Sequence, residues 1–170
     1  MVVDRPAIAR MVGWTKKDDP MLSQKAKYAL RALLVLAEAG DDRPVLISEI
    51  AERHNLPKKF LEQILLDLKH HGLVQSRRGR SGGYNLLKPA AEISFGQVIR
   101  IIDGPLAPLP CLSVMAYRRC EDCLDEESCA IRRVFALTHQ VNATVLDRTT
   151  LADALKGRPQ RPAVPQQEVA

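Results

Sequence analysis

The feature that most constrains this fold is a tight succession of two helical segments and a hairpin between residues 48 and 87. Ser48 to about His54 has the pattern of a short helix, and Asn55-Leu56-Pro57 has the pattern of a turn. Proline is favoured at the first position of a helix, so Pro57 is expected to begin the next helix, which runs to about His71 with Gly72 as its C-cap. Two helices joined by so short a turn are typical of a helix-turn-helix.

The second of these helices is predicted to be amphipathic. Its expected buried stripe consists of Phe60, Leu61, Ile64, Leu65 and Leu68. The opposite face is polar. This arrangement favours a helix that packs on a core with one side and offers the other side to a partner.

A hairpin is predicted directly after this helix. Leu73–Ser76 and Tyr84–Leu87 have the pattern of two short strands. The segment between them holds three arginines and three glycines: Arg77, Arg78, Gly79, Arg80, Gly82 and Gly83. Glycine keeps the backbone slim enough to enter a DNA groove, and arginine suits the negative potential of a narrow minor groove, although a solvated loop is the alternative. A hairpin at this position is the two-stranded wing of a winged helix-turn-helix.

The net charge of +5 is concentrated in this first half of the chain. Residues 21–88 contain twelve Lys and Arg against seven Asp and Glu, whereas residues 89–170 contain nine against ten. A polyanionic partner is therefore expected to bind the first half. Aromatic residues make up only 4% of the chain, which argues against stacking platforms for single-stranded nucleic acid.

Two further helices complete the predicted winged domain. From Gln24 to Ala39 apolar residues recur in pairs one helical turn apart, behind Ser23 as a plausible N-cap. Ser94 has the same role before a helix from Phe95 to Ile102. Asp103-Gly104-Pro105 is expected to stop that helix.

All four cysteines lie in one irregular, charge-rich segment. They are Cys111, Cys120, Cys123 and Cys129. Because only two residues separate Cys120 from Cys123, one local turn can aim both sulfurs at a single point, as a thiolate site for zinc or iron requires. A disulfide or redox pair is a competing use of the same spacing, and burial as small apolar side chains is a third.

After Cys129 one long helix is predicted, from Ala130 to about Leu155. Its apolar positions alternate in spacings of three and four residues: Ile131, Val134, Thr138, Val141 and Val145. A helix with such a face needs a partner. Since helix-turn-helix proteins usually read two half-sites as a symmetric dimer, a dimerisation helix is favoured over one that folds back onto its own core.

The chain is therefore expected to be mainly helical and to divide into five parts. These are a flexible extension (1–20), a winged helix-turn-helix domain (21–104), a cysteine-rich loop (105–129), a dimerisation helix (130–156) and a disordered tail (157–170). No apolar run approaches the length of a membrane span, and the N-terminus lacks the features of a secretory signal. A cytoplasmic location is expected, where clustered cysteines are more often metal ligands or redox sensors than structural disulfides.

These residues resemble the IscR/NsrR/RirA family of bacterial winged-helix regulators that carry iron–sulfur clusters. The resemblance spans about Met21 to Leu155. Its most specific parts are Tyr28-Ala29-Leu30-Arg31, Phe60-Leu61-Glu62-Gln63, Gly72-Leu73-Val74, Arg78-Gly79, Gly82-Gly83-Tyr84 and Asp103-Gly104-Pro105. The resemblance implies a homodimeric transcription factor that binds an operator in double-stranded DNA with an affinity that depends on a [2Fe–2S] or [4Fe–4S] cluster.

The resemblance also implies which residues contact DNA. Lys59, Glu62 and Gln63 match the positions that enter the major groove, and Arg78, Gly79 and Arg80 match the wing contacts. The chemistry agrees, because Glu62 can accept from a cytosine amino group, Gln63 can pair with adenine, and Lys58 or Lys59 can serve phosphate or guanine. Arg77 belongs to the same hairpin.

The cysteines depart from the family pattern. Members with three cysteines complete the cluster with a residue shortly after the third cysteine or with one from the partner's first helix. Here those positions hold Arg132 and Lys27-Tyr28, which are not ligands. The economical hypothesis is an all-thiolate site on the four cysteines, or a site in which three ligate and the fourth stays labile; His139 is a weak candidate.

Three rivals remain open at this point. One is the same regulator with structural zinc at the cysteines, which would have no redox chemistry. Another is a dithiol/disulfide switch of Cys120 and Cys123. The third, a thiol oxidoreductase, lacks a βαβ pattern around the motif, and its acidic neighbours would raise the pKa of the thiols, so the chain is not expected to be an enzyme.

Overall fold

The computed structural model describes residues 22–40, 43–79 and 82–157. Three predicted features lie outside the described residues: the extension 1–20, Arg80 of the wing and residues 158–170 of the tail. The helices are α1 (Gln24–Ala39), α2 (Ile47–His54), α3 (Lys58–His70), α4 (Phe95–Asp103), α5 (Ala130–Arg148) and α6 (Leu151–Leu155), and the strands are β1 (Val74–Arg77) and β2 (Gly83–Leu86). Short 3-10 turns lie at Ala90–Glu92 and Pro110–Leu112. The predicted fold class, mainly helical with a two-stranded antiparallel sheet, is confirmed.

The core forms around α1, whose apolar pairs face α3 and α4. Its Leu33 and Leu36 are essentially inaccessible to solvent, as are Ile64, Leu65 and Leu68 of α3. Each such side chain contributes on the order of 2 kcal/mol through the removal of apolar surface from water. The predicted cap of α1 is confirmed, since the Ser23 hydroxyl accepts a hydrogen bond from the Ala26 amide at 3.0 Å.

The turn between α2 and α3 follows the predicted pattern except for the position of Pro57. Asn55 adopts a left-handed conformation (φ 51°) that ends α2, and Pro57 is the N-cap of α3 instead of its first residue. Phe60 was expected to be buried, and this is wrong: the residue is 38% exposed. Phe60 instead rests edge-on against Tyr28 of α1, with ring centroids 5.8 Å apart, so it covers the edge of the core.

Helix α3 ends in a tight reversal that sets the position of the wing. Gly72 has φ +69°, its amide donates to the Lys69 carbonyl at 3.0 Å, and the Leu73 amide donates to the Leu68 carbonyl at 3.0 Å. These two bonds form a Schellman motif, which requires a left-handed residue at Gly72. The chain consequently leaves the helix directly into β1.

The wing is a hairpin that is tied to the domain from two sides. Val74 pairs with Leu86, and Arg77 pairs with Gly83. Compared with the prediction, β1 begins and ends one residue later and β2 begins and ends one residue earlier. Val45 and Tyr84 exchange backbone hydrogen bonds of 2.9 Å, which attaches β2 to the segment before α2. On the other side the Lys69 ammonium donates to the Ser76 hydroxyl at 2.8 Å.

The prediction of one continuous helix from Ala130 to about Leu155 is wrong. Helix α5 ends at Arg148, and Thr150 caps the separate helix α6 through a capping box with Asp153. The Leu151 amide donates to the Ile93 carbonyl at 2.9 Å, and its side chain is fully buried in the core. The end of the predicted dimerisation helix thus belongs to the winged domain.

Candidate DNA interface and cysteine site

The face of α3 opposite the core carries the predicted major-groove residues. Lys58, Lys59, Glu62 and Gln63 are all exposed. Leu66, one turn further along, is also exposed, at 43%. Successive turns of one helix face bring these side chains to the same surface, which is the arrangement that a recognition helix needs.

The tip of the wing carries the predicted minor-groove residues. Arg77 and Arg78 are exposed, and Gly79 has φ +107° with no atom within 4 Å of the point where a Cβ would lie. Gly82 is different, because a Cβ there would lie 2.5 Å from the Arg77 carbonyl oxygen. Within the described residues, the backbones at Arg77 and Gly82 therefore approach closely, and the first flank of the wing carries two exposed cationic side chains.

Gln63 is held by a chain of polar contacts that leads back to α1. Its side-chain nitrogen donates to one carboxylate oxygen of Asp67 at 3.1 Å, and the ammonium of Lys25 lies 2.7 Å from the other oxygen. The bond from Lys25 lowers the pKa of Asp67, and the amide of Gln63 adds to this effect, so Asp67 is ionised at neutral pH.

The four predicted cysteine ligands come together around one cavity. Cys111, Cys120, Cys123 and Cys129 all line a cavity of about 420 Å³. Leu109, Leu124 and Ile131 supply apolar walls, and Arg132 supplies a cation. All four cysteines lie in the described part of the chain, and none of them forms a disulfide there.

Local structure holds each cysteine in place. Cys111 is buried on the 3-10 turn Pro110–Leu112, which follows the proline-rich connection from α4. The Cys123 amide donates to the Cys120 carbonyl at 3.2 Å, which forms the turn predicted from their spacing. Cys129 is the N-cap of α5, and its sulfur accepts from the Arg132 amide at 3.4 Å. The site is thus built into the start of α5.

Charged side chains order the rest of the cysteine loop. The guanidinium of Arg119 donates to the carbonyl oxygens of Cys123 and Leu124 at 3.1 and 2.9 Å. The Tyr117 hydroxyl donates to Glu126 at 2.5 Å. These bonds give a polar loop a defined conformation without an apolar core of its own.

The electrostatics of the site disfavour a lone reactive thiolate. Partial burial raises the pKa of the Cys120 thiol, and the neighbouring Cys111, Cys123 and Asp122 raise it further. Of the two acidic neighbours, Asp122 acts on Cys120 in the expected direction. A nucleophilic cysteine needs a lowered pKa, so this environment suits ligands that a metal deprotonates better than it suits thiol catalysis.

The spacing of the sulfurs bears on which group would fit. Within the described residues, no three Cys, His, Asp or Glu side chains converge on a point that could hold one metal ion. Four thiolates bound to one zinc must lie within roughly 4 Å of one another, because each Zn–S bond is about 2.3 Å long. In an iron–sulfur cluster the cysteines bind different iron atoms. Their sulfurs therefore lie farther apart than the four sulfurs of a zinc site, and such a cluster would need a wider cavity.

Helix α5 connects the cysteine site with the winged domain. Its first turn contains Cys129 as cap, and near its last turn Asp147 forms a two-bond ion pair with Arg100 of α4, at 2.6 and 2.8 Å. Gly96 allows this contact, since a Cβ there would lie 2.0 Å from the Asp147 carboxylate. The two ends of α5 are therefore fixed to the cysteine loop and to the winged domain.

Several of these contacts and exposed positions were not expected from the sequence. Gln63 and Asp67 are four residues apart, a spacing that could have indicated their contact on a helix. Arg100 and Asp147 lie 47 residues apart, and only the fold brings them together. Nothing in the local sequence indicated that Leu66 is exposed, because leucine in an amphipathic helix is ordinarily assigned to the core.

Comparison with known proteins identifies the family. Residues 22–157 match the Rrf2 family, which is described as iron-dependent transcriptional regulators. The chain belongs to the Rrf2 family. Rrf2-family regulators are DNA-binding proteins and not enzymes, so the expected absence of catalysis agrees with this membership.

Curated relatives extend over most of the chain. An rrf2-like HTH-type regulator of Rhodobacter capsulatus is 54% identical over 138 residues, which cover 79% of this chain and 92% of that protein. CymR of Bacillus subtilis is 33% identical over 132 residues, covering 78% of this chain and 87% of CymR. These Rrf2-family relatives include both the winged domain and the segment that follows it.

Solved structures of the family share the fold. CymR of Bacillus subtilis, described as its global cysteine regulator, superposes with a TM-score of 0.68 at 32% identity, covering 80% of this chain and 96% of that one. IscR of T. potens gives a TM-score of 0.63 at 29% identity, covering 86% and 90%. The resemblance drawn from the motifs is thereby confirmed.

No helix in the described residues is both long and apolar enough to cross a membrane.

Proposed function

We propose that this Rrf2-family chain is a homodimeric, sequence-specific regulator whose affinity for DNA is controlled by an iron–sulfur cluster on Cys111, Cys120, Cys123 and Cys129. The observation that carries the proposal is that all four thiols line one cavity at the start of α5. Iron supply, oxidants and nitric oxide are the candidate inputs, because each changes the state of such a cluster.

The proposed contacts with DNA follow the two exposed surfaces of the winged domain. Helix α3 would enter the major groove and the wing the minor groove, with contacts from Lys58, Lys59, Glu62, Gln63, Arg77, Arg78, Gly79 and Arg80. Contacts to phosphate set the register, and contacts to base edges from Glu62 and Gln63 set the sequence preference.

The second copy is proposed to pack against α5. None of the 19 residues of this helix is buried within one chain. Ile131 and Val134 are 62% and 67% exposed, and Phe135 is 41% exposed. An apolar face of this kind is unstable in water, and a symmetric partner that covers it also places two winged domains at half-sites about one helical turn apart.

The proposed coupling runs through α5. A bound cluster would supply bonds that hold the loop 105–129 together. Residues of α5 would connect the loop to the winged domain. Cys129 is the N-cap of α5, and Asp147 near its end forms an ion pair with Arg100 of the winged domain. A loosened loop changes the orientation of α5 and therefore the separation of the two winged domains.

The test is anaerobic purification of the full chain, followed by an absorption spectrum, counts of iron, sulfide and zinc per subunit, and DNA titrations with and without the bound group. We expect a brown protein with iron and sulfide, and an affinity for selected operator DNA that changes at least about tenfold on removal of the group. A colourless protein with one zinc per subunit, or equal affinity in both states, contradicts the proposal.

A dithiol/disulfide switch is the second candidate, and one observation favours it. Cys111 and Cys120 line the same cavity, and Cys111 raises the pKa of the Cys120 thiol, so the two thiols interact. The pair differs from the Cys120–Cys123 pair expected from spacing. Mass spectrometry of the peptides after mild oxidation of the metal-free protein distinguishes the pairings.

A further inference from the structure

The orientation of one base-reading side chain is controlled from behind the recognition helix. We propose that Asp67 is a positioning residue that locks the amide of Gln63 so that its carbonyl oxygen faces the groove, which makes this position selective for a base that presents an amino group in the major groove. Adenine matches best. This inference rests on the proposed function, because it takes α3 as the element in the major groove.

The chemistry of the contact decides which way the amide points. An ionised carboxylate can only accept hydrogen bonds, and the amide of glutamine has an oxygen that accepts and a nitrogen that donates. With an amide atom of Gln63 3.1 Å from the Asp67 carboxylate, that atom must be the nitrogen. The reverse orientation would set two acceptor oxygens against each other.

Asp67 is itself anchored to a second helix. Its other carboxylate oxygen accepts from Lys25 of α1 at 2.7 Å. The side chain of Asp67 is 26% exposed and that of Lys25 is 34% exposed, so the ion pair is partly shielded from water. Lys25 thus restrains Asp67, which restrains Gln63, and the orientation of an exposed side chain is fixed by the packing of α1 against α3.

The locked amide has a definite preference among bases. One amide N–H is used by Asp67, which leaves the carbonyl oxygen and a second N–H for DNA. Adenine presents an amino donor at N6 and an acceptor at N7, which match this pair, and cytosine presents an amino donor alone. Guanine presents only acceptors at N7 and O6, and thymine presents the acceptor O4.

A free glutamine would discriminate less. Rotation about its terminal bond exchanges oxygen and nitrogen, so an unrestrained amide can offer donors to guanine as readily as it accepts from adenine. Asp67 removes this alternative, because the exchange would break the bond to the carboxylate. Selectivity then comes from exclusion of the wrong base as much as from attraction of the right one.

The test compares affinities for pairs of duplexes. The preferred operator of the full-length wild-type protein, carrying its bound group, is first selected from randomised double-stranded DNA. Each position is then changed singly, and affinities are measured for wild type, Gln63→Ala, Asp67→Asn and Glu52→Gln. Glu52 is an exposed carboxylate of α2, so its variant controls for the loss of one negative charge.

We expect wild type to prefer adenine over guanine on the order of tenfold at one position. This preference should fall to about threefold or less in both Gln63→Ala and Asp67→Asn, while Glu52→Gln retains it. The ratio between two duplexes measured on the same preparation is unaffected by a partly unfolded fraction. Preferences at the other positions should stay unchanged in Asp67→Asn.

The outcomes separate this inference from the proposed function. If Gln63→Ala loses the preference at one position but Asp67→Asn keeps it, the positioning role is overturned and the recognition helix stands. If wild type has no sequence preference, or Gln63→Ala keeps every preference of wild type, the assignment of Gln63 as a base reader fails and the role of Asp67 fails with it.

Discussion

At the base of the wing, Gly83 occupies a position that admits no side chain. Its φ is +150°, and a Cβ would lie 2.7 Å from the Val45 carbonyl oxygen. That oxygen accepts the hydrogen bond from the Tyr84 amide that attaches the hairpin to the domain. The glycine therefore permits the close approach of two backbones that orients the wing.

Gly83→Ala should destabilise the protein by roughly 1–3 kcal/mol, because both the positive φ and the collision with backbone must be relieved. Gly79→Ala is the matched control: its φ is also positive, at +107°, but its side chain would meet open space. That control should cost about 1 kcal/mol from backbone strain alone. Urea denaturation measures the free energy of unfolding of both variants. If the two variants lose the same amount, the contact with Val45 is unimportant.

Single residues also show where sequence reasoning succeeds and where it stops. The caps Ser23 and Ser94 were predictable, because capping depends on neighbours within one turn. The exposure of Phe60 was not, since it depends on Tyr28 in another helix. The assigned roles of the DNA-contacting residues and of the four cysteines remain predictions.

Among the elements, the break after α5 most changes the interpretation of the chain. The capping box at Thr150 and the burial of Leu151 return the chain to the core, beside the backbone of Ile93. Helix α5 thus begins at the cysteines and rejoins the winged domain at Thr149, whose carbonyl accepts from the Phe95 amide at 3.0 Å. A helix held at both ends transmits a change of orientation better than a free one.

Gly96→Ala tests the attachment of α5 to α4. The added methyl group should displace Asp147 and break its ion pair with Arg100. The free energy of unfolding should change by less than about 1 kcal/mol, because the ion pair is partly exposed and alanine has a higher helix propensity than glycine. Amide hydrogen exchange in the C-terminal half of α5 should nevertheless become several times faster, through local opening.

The double variant Gly96→Ala/Asp147→Ala provides the control. It removes the collision together with the ion pair, so its exchange should match that of Asp147→Ala alone. If Gly96→Ala exchanges like wild type, the contact between these helices does not hold the end of α5.

At the scale of the whole molecule, two parts of the chain's surface have opposite character. Positive charge is concentrated in residues 21–88, where α3 and the wing face outward, and exposed apolar side chains are concentrated on α5 and the cysteine loop. The first surface suits a polyanion and the second suits another protein chain. A dimer joined through α5 would leave both recognition helices free.

Val134→Glu should convert a dimer into a monomer. Val134 is 67% exposed in one chain, so glutamate is tolerated there, whereas burial of its charge between two chains is costly. Light scattering coupled to gel filtration should give twice the 18.9 kDa of one chain for wild type and 18.9 kDa for the variant. Gln140→Glu, on another face of α5, should stay dimeric; a monomeric wild type would refute the arrangement.

Elements that depend on local chemistry could be predicted from the order of the amino acids. These are the amphipathic helices, their caps, the glycine at the end of α3, the hairpin after it and the clustering of four cysteines in one loop. Each follows from residues within about twenty positions of one another along the chain, and most follow from residues within one helical turn. The family followed from the same motifs, and the comparisons confirm it.

The folded chain alone shows how these parts contact one another. It places four thiols around one cavity, pairs Arg100 with Asp147, exposes Phe60 and Leu66, and ties Gln63 through Asp67 to Lys25. These contacts join residues on different elements, and their formation depends on how the helices pack. A periodic pattern encodes which face of a helix is buried, but not which side chain of another helix meets it.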